Sequence, residues 1–145
     1  PLADPSVRKS VVSRISAFSP LCDYSSNVAY RILIVDDHPS FRATARAVLS
    51  ADGFEVVGEA ADGASALEAI QRLRPDLVLL DVQLPDTDGF SIALEVGKLN
   101  GDAPTIVLTS SHDASDFGPL VGRCGAAAFV PKAELTGAAL RAVLR

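Results

Sequence analysis

The sequence predicts an α/β protein built on a doubly wound, five-stranded parallel sheet with five helices. Five short apolar runs alternate with segments whose apolar residues recur at helical spacing. The runs are continuously apolar and lack the in-and-out alternation of a half-solvated strand, so helices are expected on both faces of the sheet. Polar residues with chemical potential stand at or beside the carboxyl ends of four runs, which is where an open parallel sheet binds its ligands. These are Asp36 and Asp37, Asp81, Thr109 and Lys132.

The elements follow in order from Tyr30. The first strand is Arg31–Asp37 (RILIVDD), after which Pro39 suits the first turn of a helix with Phe41, Ala45, Val48 and Leu49 on one face and Gly53 at its end. Phe54 to Glu59 reads as the second strand. Asp62 precedes a second helix with Ala66, Leu67, Ile70 and Leu73 on its buried stripe, stopped by Pro75. The third strand is Asp76–Asp81 (DLVLLD). Leu84–Gly89 (LPDTDG) is a loop, and the helix after it buries Ile92, Val96 and Leu99. Strand four is Thr105–Thr109 (TIVLT). Gly118 and Pro119 fall inside the fourth helix, between Ser115 and Cys124, and should leave it short or irregular. Strand five, Ala127–Lys132 (AAFVPK), leads to a last helix over Glu134 to Leu144. Right-handed crossovers restrict the connectivity, and the flavodoxin-like strand order 2-1-3-4-5 is the expected one.

Length and composition narrow the function classes. A chain of 145 residues is long enough for one well-buried domain and too short for two ordinary ones. The boundary is placed at residue 30. Residues 1–29 hold seven serines and three prolines without a period, and read as a flexible arm or linker. Those residues carry a net charge of +1, so the remainder carries −6 of the total −5, a surface that disfavours direct nucleic-acid binding. No apolar run approaches a membrane span. Cys22 and Cys124 form no metal-type pair and suit a reducing cytoplasm. His38 and His112 lack ligand spacing, so no zinc site is expected.

The strand-end residues form a chemical set. A carboxylate such as Asp81 can attack phosphorus to give an aspartyl phosphate, provided that a counter-charge offsets its acidic neighbours. Mg²⁺ binds one or two carboxylates together with phosphate oxygens and water, and the adjacent Asp36 and Asp37 suit it. Lys132 would neutralise remaining charge and Thr109 would donate to a phosphoryl oxygen. Taken singly, a strand-end Asp is usually a cap or turn residue, and a lone Lys is usually a solvated surface group. Four converging strand ends are a different matter.

Val35–Pro39 (VDDHP), Leu80–Phe90 (LDVQLPDTDGF), Ile106–Ser110 (IVLTS) and Phe129–Lys132 (FVPK) resemble the receiver domain of two-component response regulators, over residues 31–145. The Asp-Asp-His-Pro run resembles the NarL/FixJ-like branch. The resemblance implies that Asp81 accepts a phosphoryl group from a sensor histidine kinase. It also implies that Asp36, Asp37, Asp81 and the backbone carbonyl of Gln83 hold Mg²⁺, and that Lys132 contacts the phosphate. Thr109 and Phe129 would act as the switch, altering the helix 4–strand 5–helix 5 surface that controls an output domain or protein partner. Catalysis would be limited to phosphoryl acceptance and slow self-dephosphorylation, so the chain is not expected to be an enzyme in the ordinary sense.

The sequence departs from the family pattern in two places. Ala133 follows the lysine where many receivers have Pro, so the associated cis bond is not expected. The Gly118-Pro119 pair unsettles helix four. Members of the branch usually carry a C-terminal helix-turn-helix domain, whereas here the sequence stops after helix five. The expectation is either an isolated receiver or a single-domain regulator. Helix five is expected to bury Leu135, Ala138, Ala139, Ala142 and Val143 and to expose Leu140 and Leu144. Receivers often pair on that surface, so a homodimer is a candidate.

Rival classes are weaker. Phosphatases of the haloacid-dehalogenase type need a second Asp two positions after the nucleophile, and that position is Gln83. No phosphate-loop run occurs, and Leu84 occupies what would be the first ligand position of a calcium loop. The serious alternative is a receiver-like interaction module that signals without phosphorylation. Retention of every acidic residue and of the lysine favours the phosphoacceptor.

Overall fold

A computed structural model of the chain describes residues 29–99, 103–111 and 118–144. The expected arm over residues 1–29 lies outside the described residues except at its last position, and so do Cys22, His112 and residues 115–117 of the expected fourth helix.

Strands β1 (Arg31–Val35), β2 (Glu55–Ala60), β3 (Leu77–Asp81), β4 (Thr105–Ser110) and β5 (Ala128–Pro131) form one parallel sheet in the order β2-β1-β3-β4-β5. Helices α1 (Pro39–Ala51), α2 (Gly63–Leu73), α3 (Gly89–Gly97), α4 (Gly118–Arg123) and α5 (Gly137–Leu144) connect and follow them. The architecture is the flavodoxin-like one that the alternating pattern predicts.

Residue parity decides what covers each face. Ile32, Ile34, Leu77, Leu79, Val107 and Val130 pack against Ala45 and Leu49 of α1 and Leu140 of α5. Leu33, Val35, Val78, Leu80, Ile106 and Leu108 pack on the other side against Ala66 and Ile70 of α2, Ile92 and Val96 of α3, and Cys124 beyond α4. Side chains alternate faces along a strand. Extending the first set by two residues reaches Asp36, Asp81, Thr109 and Lys132, so the polar site continues the apolar columns on the α1/α5 face.

Local chemistry fixes the ends of the helices. Gly53, at φ 95°, turns the chain out of α1 where an L side chain would be strained. Asp62 and Asp88 cap α2 and α3 by accepting from the backbone N–H of Ser65 and Ser91, each at 2.8 Å. Arg74 closes α2 in the left-handed region ahead of Pro75. Among the described residues helix α4 covers Gly118–Arg123, with the Gly118-Pro119 pair inside it.

The end of the chain corrects two expectations. Lys132–Glu134 forms a 3-10 turn, and α5 begins at Gly137 rather than Glu134. Thr136 Oγ1 caps it by accepting from Ala139 N at 3.0 Å. Gly137 and Leu140 are buried, and the expected Leu135, Ala139 and Val143 pack partly buried on the same cluster together with Leu144, while Ala138 and Ala142 face outward. Leu140 is fully buried instead of exposed. Leucine burial outweighs alanine burial because it removes far more apolar area from water, so it fixes the helix rotation. Leu144 is partly buried, so neither leucine of α5 has the exposure expected of it. All peptide bonds in the described residues are trans, including those flanking Lys132. No helix among the described residues is long and apolar enough to cross a membrane.

Candidate functional site: an acidic pocket at the strand ends

Asp36 follows β1 directly. Its backbone N–H donates to Ala60 O at 3.0 Å, which continues the pairing of β1 with β2 and points the side chain inward. The carboxylate is completely buried. Oδ1 accepts from His38 N at 2.8 Å, and Oδ2 lies 2.6 Å from Lys132 Nζ. Asp81 is the last residue of β3 and is also buried. Its Oδ1 accepts from Gln83 N at 3.1 Å, and Oδ2 lies 3.4 Å from the same ammonium. Thr109 stands beside Asp81 in register across β3 and β4, with its hydroxyl fully buried and without a hydrogen-bond partner. Asp37 is partly exposed at the rim.

Lys132 enters from the start of the 3-10 turn and is largely covered. Besides the two carboxylates, its ammonium lies 4.5 Å from the centroid of the Phe41 ring, a cation–π contact from α1. Phe129 is elsewhere. It pairs with Leu108, one residue out of phase with Thr109 and Val130, and packs in the cluster on the α2/α3/α4 face. The structure therefore brings together Asp36, Asp37, Asp81, Thr109 and Lys132, with Gln83 at the pocket edge, and places Phe129 across the sheet from them.

Opposed forces act on the two buried acids. Burial raises Asp81 to about 6; the Gln83 N–H and Lys132 pull it down, while the negative charge of Asp36 adds to the rise. Burial also pushes Asp36 up, but Lys132 and the His38 N–H outweigh it and hold that carboxyl below its ordinary value. Asp81 therefore bears the electrostatic strain of the pocket.

The donor set suits a divalent cation. Oxygens of Asp36, Asp37 and Asp81 and a ring nitrogen of His38 all lie within 4.8 Å of one another. Asp37 Oδ1 is buried and accepts no hydrogen bond, lying 3.1 Å from His38 Nδ1, while Asp36 Oδ2 meets the Lys132 ammonium at 2.6 Å. Three carboxylates facing one ammonium leave negative charge uncompensated in a small volume, which a hard cation would neutralise.

Supporting residues escaped the sequence reading. Arg42 donates to the backbone carbonyl of Asp36 at 2.6 Å and to Glu59 Oε1 at 3.0 Å, and Arg46 donates to Glu59 Oε2 at 2.7 Å. The signal available was two arginines one helical turn apart on α1, facing a strand-borne glutamate. Asp86 accepts from Gly63 N at 2.7 Å and Ala64 N at 3.1 Å, tying the loop after Asp81 to the start of α2. Gly89 completes the loop. Its N–H donates to Val82 O at 2.7 Å, and an added Cβ would lie 2.5 Å from Asp81 O.

The model of the response regulator receiver domain matches residues 32–145. This chain belongs to the response regulator receiver family. The receiver is 40% identical over 116 residues to the NarL transcriptional regulatory protein of Mycobacterium tuberculosis, covering 79% of the chain and 53% of that protein. It is 38% identical over 88 residues to the chemotaxis protein CheY of Bacillus subtilis, covering 61% of the chain and 73% of that protein. The solved signal receiver domain of NarL from M. tuberculosis superposes with a TM-score of 0.72 at 36% identity, over 80% of this chain and 97% of that one. A two-component response regulator of the LuxR family from Aurantimonas gives a TM-score of 0.70 at 30% identity, over 81% and 86% of the two chains. These likenesses place the receiver in the NarL/FixJ-like branch of two-component signalling. The chain spans about half the length of the transcriptional regulators it matches.

Proposed function

We propose that residues 30–145 form a phosphoacceptor receiver in which Asp81 takes a phosphoryl group from the phosphohistidine of a sensor histidine kinase. The observation that carries this reading is the position of Asp81, buried at a strand end between a second buried carboxylate and a largely covered ammonium, with an unpartnered hydroxyl alongside. A carboxylate held at about 6 by burial gains from any charge compensation, so it is poised to react once cations assemble around it.

In the proposed reaction an Asp81 carboxylate oxygen attacks phosphorus, the phosphorus–nitrogen bond of the donor breaks, and the imidazole leaves with its electron pair. Asp36, Asp37, Asp81 and the Gln83 carbonyl would hold Mg²⁺, which when bound supplies charge neutralisation and orientation of the phosphoryl oxygens. Lys132 faces the same space and would pair with a phosphoryl oxygen. Thr109 would find in that oxygen the partner its hydroxyl lacks. The shift of Thr109 would reach Phe129 through the sheet and alter the α4–β5–α5 surface presented to an output domain or protein partner. The acyl phosphate would be lost by slow hydrolysis, without turnover of an external substrate.

The relatives are named transcriptional regulators, and control of transcription is the proposed output, with the acidic receiver itself making no DNA contact. Its proposed location is the cytoplasm, in keeping with the unbridged thiol of Cys124. Amide NMR with beryllofluoride, a phosphoryl mimic, tests the reading. Mg²⁺-dependent shifts at Thr109, Phe129 and Lys132 are expected, and unchanged spectra would favour an interaction module independent of phosphorylation.

A further inference from the structure

The loop that follows Asp81 is a short closed hairpin. Gln83 and Asp88 pair antiparallel across it, Leu84 N donates to Thr87 O at 3.1 Å, and Gly89 N donates to Val82 O at 2.7 Å. Its tip is fastened to a different element. Asp86 Oδ1 accepts from Gly63 N at 2.7 Å and Oδ2 from Ala64 N at 3.1 Å, while Asp62 takes the next N–H of α2, that of Ser65. Two carboxylates from different segments thus satisfy the first three N–H groups of the helix, where negative charge is favoured. Gly63 is fitted to this contact. An added Cβ there would collide with Thr87 Cγ2 and lie 3.0 Å from Ile92 Cδ1, so the loop tip seats against bare backbone.

At its other end the hairpin meets the reactive carboxylate. Gln83 N donates to Asp81 Oδ1 at 3.1 Å, which leaves Oδ2 on the side of Lys132 Nζ, 3.4 Å away. The terminal torsion of an aspartate is broad and soft, so a buried carboxylate needs such a donor to fix its plane. We propose that Asp86 is a positioning residue for phosphoryl acceptance, holding the hairpin so that the Gln83 N–H stays on Asp81 Oδ1 and Oδ2 faces the incoming phosphorus. The proposal rests on the phosphoacceptor reading and adds to it a residue outside the pocket. In the transfer Oδ2 forms the new bond to phosphorus. The donor's phosphorus–nitrogen bond, or the phosphorus–oxygen bond of acetyl phosphate, breaks, and the leaving group departs with the electron pair. Asp86 touches none of these atoms. It acts on alignment, to which such a transfer is sensitive on the order of 1 Å.

The test is the rate of adduct formation on the full chain with acetyl phosphate and Mg²⁺, followed by intact-protein mass, for the wild type, Asp86→Ala, Asp86→Asn and Asp62→Ala. Asp86 is exposed, so its replacement leaves the core intact. Asp62→Ala removes a cap from the same end of α2 without touching the hairpin, and so controls for a merely structural loss. Amide hydrogen exchange at Gln83 is read by NMR in each protein. The expected result is adduct formation about tenfold slower in Asp86→Ala, with faster exchange at Gln83. Asp86→Asn keeps an acceptor oxygen and is expected within about threefold of the wild type, and Asp62→Ala at the wild-type rate. A wild-type rate or unchanged Gln83 exchange in Asp86→Ala, or equal slowing in Asp62→Ala, would overturn the role of Asp86 and leave Asp81 as the acceptor. No adduct on the wild type would overturn the phosphoacceptor reading, and this role with it.

Discussion

Lys132 Nζ lies 2.6 Å from Asp36 Oδ2 and 3.4 Å from Asp81 Oδ2, so the ammonium leans toward the carboxylate of β1 and away from the proposed phosphoacceptor. A cation bound at Asp36 and Asp37 would compete for that charge and release the lysine toward Asp81 and an incoming phosphoryl group. Lys132→Ala should therefore strand two buried acids and destabilise the metal-free protein by roughly 3 kcal/mol, the scale of a buried pair that loses one partner. Urea denaturation should show Mg²⁺ recovering much of that loss. Equal losses with and without Mg²⁺ would contradict the shared-charge account.

The two acids should respond to pH in opposite directions. Asp81, raised to about 6, binds its proton more tightly in the folded than in the unfolded state. Its contribution to stability is then greatest at low pH, declines as pH rises from about 4 to about 6, and becomes a fixed cost above that. Asp36 is lowered, so its contribution is present above the ordinary carboxylate range and is lost as pH falls through its folded value. Asp81→Asn should accordingly stabilise the metal-free protein at pH 7, by on the order of 2 kcal/mol, and have little effect near pH 4. Thermal unfolding at the two pH values in a chelating buffer checks this.

Phe41 should be coupled to Lys132. The ammonium sits 4.5 Å from the ring centroid in a largely covered setting, where such contacts contribute roughly 0.5–2 kcal/mol. A double-mutant cycle with Phe41→Leu and Lys132→Met should return a coupling energy in that range. Strict additivity of the two losses would show that the ring is only packing.

Gly89→Ala should be costly for a steric reason. The new methyl would meet backbone atoms of Asp81 and Val82, at 2.5 Å and 3.0 Å, and neither can swing aside as a side chain can. A loss of about 1–3 kcal/mol in denaturant unfolding is expected, with the larger share of damage in the loop that presents Gln83. Asp86→Ala, which frees two N–H groups at the start of α2, should loosen the same loop without the clash.

The strand order and the strand-end residues were legible because the apolar runs are unbroken and the reactive residues share their parity. Ile32, Ile34 and Asp36 form one column, and Leu77, Leu79 and Asp81 form the next. Other features were less accessible. The rotation of α5 depends on where the helix begins, and the 3-10 turn after Lys132 moves that start to Gly137, which brings Leu140 inward. The ring of His38 meets the acids only through a turn held by Pro39, a placement that its spacing in the sequence does not announce. The contacts of Arg42 and Asp86 join segments 17 and 23 residues apart, respectively, and no local pattern announces them.

The central claim is that Asp81 accepts a phosphoryl group with the help of a divalent cation. The most direct measurement is intact-protein mass after incubation with acetyl phosphate, with and without Mg²⁺, for the wild type and Asp81→Asn. The account predicts one phosphoryl adduct on the wild type that requires Mg²⁺ and is missing from Asp81→Asn. An adduct that persists in Asp81→Asn, or no adduct on the wild type with Mg²⁺ bound, would contradict it.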